Sequence, residues 1–169
     1  MDTEATLRME RVSARKADQD KNLFGRMLAA AMASRGQAQR LLSATSELSI
    51  TEWRILWDLD CAGPLSVQDM ASIQRTDHSL ISRALPGMRE KGYVKTARCA
   101  RDKRQSLVVL SDAGKRAFAK AAPTMKQRRI ALEAAFPDTE LETFLALLTR
   151  FESFLAQPVD LELPLEEIE

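Results

Sequence analysis

The apolar period of this chain changes twice. Up to Gly92 the apolar residues recur at helical spacing. From Tyr93 to Leu110 they alternate, and after Ser111 the helical spacing returns. The alternating part is short. Tyr93–Cys99 and Ser106–Leu110 read as two strands, with the polar stretch Ala100–Gln105 as the loop between them. The expected fold class is therefore mainly α with one small β-hairpin.

The helices on either side carry their own punctuation. Residues 1–17 are polar and of mixed charge, and read either as disordered or as an extension of the first helix. Leu23, Phe24, Met27, Leu28, Ala31 and Met32 set a helix from Asp18 to Thr45. Thr51 is expected to cap a second helix bearing Trp53, Ile55, Leu56, Trp57 and Leu59, which stops at Gly63-Pro64. Ser66, with Asp69 three residues on, has the spacing of a capping box for a short helix. Gln74-Arg75-Thr76 makes a tight turn. Thr76 or Asp77 then caps a longer helix with Leu80, Ile81, Ala84, Leu85 and Met88 on its apolar side and Gly92 at its end. Two helices joined by so brief a turn have the pattern of a helix-turn-helix. Pro86 inside the second of them predicts a kink near Ser82–Pro86, because an interior proline loses a hydrogen bond and clashes with the carbonyl four residues back. Ser111 caps a further helix toward Phe136. Asp138 is expected to cap the last, whose stripe is Leu141, Phe144, Leu145, Leu148, Phe151 and Leu155.

Charge is unevenly distributed along this pattern. Residues 72–130 hold 15 Lys+Arg against 4 Asp+Glu, residues 1–71 hold 9 against 10, and residues 131–169 hold 1 against 10. The net charge of +1 conceals a basic segment centred on the longer helix and the hairpin. Such a segment is either a solvated charged face or the electrostatic footprint of a nucleic-acid binder. Other chemistries find little support. There is one histidine, His78, and the two cysteines, Cys61 and Cys99, stand 38 positions apart. That is a poor inventory for a metal site or a disulfide framework, and a reducing compartment fits it. No phosphate loop or nucleophile elbow is present. The expectation is a protein without cofactor that is not an enzyme. No apolar run approaches the roughly 18 residues of a membrane span, and no secretory leader is visible, so a cytoplasmic location is expected.

Six segments, in one order, carry a specific resemblance. They are Leu48-Ser49-Ile50-Thr51 with Trp53 and Leu56; Gly63-Pro64-Leu65-Ser66-Val67-Gln68-Asp69-Met70-Ala71; His78-Ser79-Leu80-Ile81-Ser82-Arg83; Glu90-Lys91-Gly92-Tyr93-Val94; Arg101-Asp102-Lys103-Arg104; and Leu110-Ser111-Asp112-Ala113-Gly114. Together, over roughly residues 20–155, they resemble the MarR family of transcription factors. The resemblance implies a winged helix-turn-helix framed by N- and C-terminal dimerisation helices. On that pattern residues 18–48 form the first dimerisation helix and residues 49–110 the DNA-binding region. Residues 111–157 form the C-terminal dimerisation helices and residues 158–169 an acidic tail.

The same resemblance implies a function. A homodimer would bind double-stranded DNA at a pseudo-palindromic operator, as a repressor, and release it when a small aromatic or phenolic, anionic effector binds. Asp77, His78, Ser79, Ser82 and Arg83 occupy the turns that would read base edges. Arg101, Asp102, Lys103 and Arg104 form the wing tip. There Arg104 would enter the minor groove and Asp102 would orient the arginines. Arg26, Met27, Trp53, Arg54 and Trp57 lie on helices beside the family's effector crevice. Arg26 would pair a carboxylate and the tryptophans would stack on a ring; equally, Trp53 and Trp57 are core residues and Arg26 a surface charge. Two other readings remain. One is a thiol-based sensor acting through Cys99, beside Arg98 and Arg101. The other is a winged-helix module that docks on protein.

Overall fold

The computed structural model describes residues 3–98 and 106–159. The chain divides into two compact units, Met1–Lys126 and Gln127–Glu169. The first unit contains α1 (Thr3–Lys21), α2 (Leu23–Thr45), α3 (Ile50–Ala62), α4 (Val67–Gln74), α5 (His78–Glu90), β1 (Val94–Arg98), β2 (Ser106–Leu110) and the first part of α6 (Asp112–Ala135). The second contains the rest of α6 and α7 (Asp138–Leu155).

The expected helix from Asp18 to Thr45 is two helices. Asn22 has extended φ/ψ and its side chain accepts the Gly25 N–H at 2.9 Å, so it caps α2 and ends α1 one residue earlier. Asn is among the strongest N-cap residues, and its side chain competes with the helical backbone. Asp18, Asp20 and Lys21 therefore belong to a separate N-terminal helix that takes in residues 3–17 as well. At the start of α3 the cap is Ser49, not Thr51. Ser49 Oγ accepts the Glu52 N–H at 3.2 Å, and Glu52 Oε2 accepts the Ser49 N–H at 2.7 Å. Thr51 lies inside the first turn, buried. Asp138 is the first residue of α7 rather than its cap. That position falls to Pro137, which makes no side-chain cap bond, while Asp138 adds negative charge to a helix start.

Other boundaries follow the sequence closely. Ser66 and Asp69 form a reciprocal capping box on α4. Asp77 caps α5. The cap after Glu90 is Lys91, and Gly92 follows it at φ +69°, a conformation suited to glycine. The helix continues through Pro86 to Glu90. The strands pair antiparallel, with Val94 opposite Leu110 and Arg98 opposite Ser106. A third element joins this hairpin. Leu65, just ahead of α4, exchanges both backbone hydrogen bonds with Val108, at 2.8 and 3.2 Å.

The core of the first unit draws on α2 to α6 and on both strands. Leu42, Leu48, Ile55, Leu56, Met70, Ile81 and Met88 are its largest fully buried side chains. Val94 and Val108 add the inner face of the hairpin, and Ala121 adds α6. The inward positions expected on the longer helix hold: Ile81 and Leu85 are buried and Leu80 is half-buried.

The junction after β2 shows why its motif has the residues it has. Ser111 Oγ accepts the Gly114 N–H at 3.0 Å and is within hydrogen-bond reach of the Gly92 and Tyr93 carbonyls. A Cβ on Gly114 would run into the Tyr93 carbonyl oxygen and sit 2.8 Å from Leu110 Cδ1. Only glycine lets α6 begin this close to the entry of β1.

Candidate nucleic-acid interface

The N-terminal end of α5 is fixed by its cap. Asp77 Oδ1 accepts the Ser79 N–H at 2.7 Å and lies 3.1 Å from His78 Nδ1. The backbone bond from Ser79 is the largest cause that holds the Asp77 carboxyl down to about 2, so it is ionised near neutrality. A carboxylate held in this way sets the helix start and repels phosphate. Asp77 thus positions the neighbouring residues.

Beyond the cap, the residues expected to read DNA lie at the surface. His78, Ser82 and Arg83 are exposed, and Ser79 is half-buried. Arg83 is drawn back along the helix toward its N-terminus. Its Nε donates to the Ser79 carbonyl at 3.0 Å and its Nη2 donates to Ser79 Oγ at 3.2 Å. Ser79 therefore orients Arg83, and the remaining N–H groups of the guanidinium still offer a fork for a base edge or phosphate. The wing-tip residues Arg101, Asp102, Lys103 and Arg104, and Cys99, lie outside the described residues. Lys95 and Arg98 on β1 are described and exposed.

The turn between α4 and α5 is clamped from α3. Arg54 Nη2 donates to the Gln74 carbonyl at 3.1 Å, and Gln74 Nε2 donates to Asp58 Oδ2 at 2.6 Å. Burial pushes the Asp58 carboxyl up, against the lowering effect of Gln74 and Arg54. Arg54, expected beside an effector, ties α3 to the turn of the helix-turn-helix. Arg75, next in the chain, has φ 48° and ψ 51°.

The other end of α5 is held as well. Lys91 Nζ donates to Glu52 Oε1 at 2.8 Å, and the Glu52 side chain is only 10% exposed. Burial, the largest influence on the Glu52 carboxyl, pushes it up; the bonds from Lys91 and Ser49 together outweigh burial and hold it below the usual range. Lys91 is raised, chiefly by its bond to Glu52. Gln39 links α2 to the same place: its Oε1 accepts the Ile50 N–H at 2.9 Å. Sequence spacing misses these ties, because Gln39, Glu52 and Lys91 come together only in the fold.

Each of the five expected effector residues has its own surroundings. Trp53 is 5% exposed and stacks on Phe118, with ring centroids 4.8 Å apart and planes 16° apart. It is a core residue. Trp57, 6.2 Å from Trp53, is half-exposed. Arg26 pairs with Asp20 at 3.2 Å across the break at Asn22, and Met27 is half-buried. Of the five residues, Trp57 presents the largest aromatic surface to solvent.

Residues 48–106 match the family model described as MarR family. A curated relative, the uncharacterized HTH-type transcriptional regulator YwoH of Bacillus subtilis (strain 168), is 28% identical over 107 residues, 63% of this chain and 75% of that protein. Among solved structures, a MarR/EmrR family transcriptional regulator from Acinetobacter sp. ADP1 matches with a TM-score of 0.74 at 23% identity, over 82% of this chain and 98% of that one. Sco3205, a MarR family transcriptional regulator from Streptomyces coelicolor in complex with DNA, matches at 0.69 and 18% identity, over 85% and 92% of the two chains. BpsR of Bordetella bronchiseptica, in a structure concerned with regulation of its DNA binding by 6-hydroxynicotinic acid, matches at 0.67 and 17% identity, over 78% and 94%. No helix among the described residues is long and apolar enough to cross a membrane. The helix-turn-helix with its hairpin is a winged helix-turn-helix fold of the kind these MarR-family structures have, and residues 48–106 of it match the MarR family model.

Proposed function

We propose that the chain acts as a homodimeric repressor on a pseudo-palindromic site in duplex DNA. The observation that carries this reading is the exposed N-terminal face of α5, with Arg83 aimed by Ser79 beside His78 and Ser82. Phosphate contacts from the basic segment would set the position of the protein, and these side chains would read bases. Dimerisation is supported by apolar surface that one chain leaves uncovered. α7 has no buried residue, and Phe144, Leu145, Leu147, Phe154 and Leu155 on it are each about half-exposed. On α2, Leu23, Leu28 and Met32 are exposed too. A two-fold dimer would set two recognition helices about 34–36 Å apart, one turn of DNA.

The effector in this proposal is a small aromatic or phenolic anion, the class to which the compound named with BpsR belongs. Trp57 supplies a ring for stacking. Linkage requires that an effector which releases DNA bind the free protein more tightly than the DNA-bound one, by the same factor. The test is binding to genomic fragments across a salt series, repeated with a panel of aromatic acids and phenols. Affinity should fall steeply with salt and favour some fragments over competitor DNA. Salt-independent binding, or no preference for any fragment, refutes the DNA-binding reading. A panel without effect, combined with release by mild peroxide that Cys99→Ser abolishes, replaces the effector by a thiol switch.

A further inference from the structure

Arg75 is the only non-glycine residue at positive φ among the described residues. Left-handed backbone is costly for any residue with a Cβ, and glycine would occupy this turn without that cost. The surroundings hold it there nonetheless. Its own N–H donates to the Ser72 carbonyl at 3.2 Å, and the Thr76 N–H donates to the Ala71 carbonyl at 3.1 Å. On the preceding residue, Arg54 donates to the Gln74 backbone carbonyl, and the Gln74 side-chain amide donates to Asp58. A backbone conformation that is disfavoured yet so fully restrained points to a use for the side chain it presents.

That side chain borders a shallow groove of about 630 Å³ along α4 and the start of α5, which Gln68, Ser72, Thr76 and His78 also line. Gln68, Ser72 and Arg75 are exposed. The groove offers a guanidinium, an amide and hydroxyls, a donor set suited to phosphate oxygens. Asp77 lines it as well; its ionised carboxylate, taken up by the α5 cap, confines an anion to the α4 side.

We propose that Arg75 is a phosphate clamp, taking one backbone phosphate of the duplex in this groove, with Gln68 and Ser72 donating alongside. The proposal rests on the DNA-binding reading above. It assigns a different task to each side of the turn: Arg75 fixes register on the backbone, and Arg83 reads sequence.

The test uses the full chain and a fragment that it binds, with Arg75→Ala, Arg75→Gly and Arg75→Lys beside Arg83→Ala. Arg75→Ala should weaken binding about tenfold on every sequence and lower the slope of log K against log salt by about 0.9 per protomer. The preference between fragments should stay as in wild type. Arg75→Gly should lose the same affinity while melting at a higher temperature, because glycine removes the backbone cost. A residue serving only to shape the turn would not show affinity and stability moving in opposite directions. Arg75→Lys should keep the slope. The proposal is overturned if Arg75→Ala and Arg75→Gly bind with wild-type affinity and slope, or if they alter sequence preference as Arg83→Ala does. If wild-type protein itself shows no salt-dependent duplex binding, the DNA-binding reading fails and the clamp fails with it.

Discussion

Glu52 joins the start of α3 to the end of α5, and removing its carboxylate tests that junction. In Glu52→Ala two charge-assisted bonds disappear, from Ser49 N–H at 2.7 Å and from Lys91 Nζ at 2.8 Å. Losing half of a capping box costs about 1 kcal/mol. Breaking a fully buried ion pair costs about 3–5 kcal/mol, but the Lys91 side chain is 43% exposed and regains water when its partner goes. With that solvent screening, the pair contributes about 1 kcal/mol. The expected loss is about 2 kcal/mol in all, or roughly 1 M in the urea midpoint. Urea unfolding should be followed at one fixed protein concentration, because a dimer's midpoint depends on concentration. Acid supplies a second measure. The folded Glu52 carboxyl titrates below 4.5, so its contribution is complete above that pH and fades as pH falls through the folded value. The stability difference between wild type and Glu52→Gln should therefore shrink from pH 6 toward pH 3. A loss under about 0.5 kcal/mol in Glu52→Ala, or a difference that does not change with pH, refutes the reasoning, since an exposed pair would behave that way.

Gly114→Ala should lower the melting temperature, at about 1–3 kcal/mol, because its Cβ meets the Tyr93 carbonyl; thermal unfolding measures it, and an unchanged midpoint would contradict the close approach. Trp53→Ala should destabilise by about 3–5 kcal/mol through the lost packing on Phe118, while Trp57→Ala leaves stability near wild type; equal effects would mean that the two rings share one environment. Leu145→Asp, placed on the uncovered face of α7, should turn a dimer into a monomer in light scattering and abolish tight DNA binding; a variant that stays dimeric places the interface elsewhere.

The order of elements was legible because each boundary is a local matter. Ser66 with Asp69, Asp77, and Gly63 at φ +80° act through bonds and backbone conformations within a few residues. The same logic applies to Ser49, three residues before Glu52 in S-x-x-E spacing; Thr51, a residue type that also caps helices, lies two positions further on, inside the first turn. Asn22 was hidden by apolar positions that keep the helical period on both sides of it. The candidate site was less legible. Trp53 and Trp57, four apart, share a helix face in sequence, yet Trp53 is buried against Phe118 of α6 and Trp57 is half-exposed. The roles of Arg54, Gln74 and Asp58 depend on a contact across 16 to 20 residues. The conformation of Arg75 is invisible in composition, since arginine has no particular preference for a left-handed turn.

The exchange of hydrogen bonds between Leu65 and Val108 limits how this domain can vary. Val108 pairs with Thr96 on one side and Leu65 on the other, and its side chain is buried in the core. A deletion of one residue between Ser106 and Val108 would shift the strand by one position and turn every side chain to the opposite face. Val108 would leave the core, Leu65 would lose its partner, and the approach to α4 would come loose. Changes of length are therefore tolerated only outside the two paired segments.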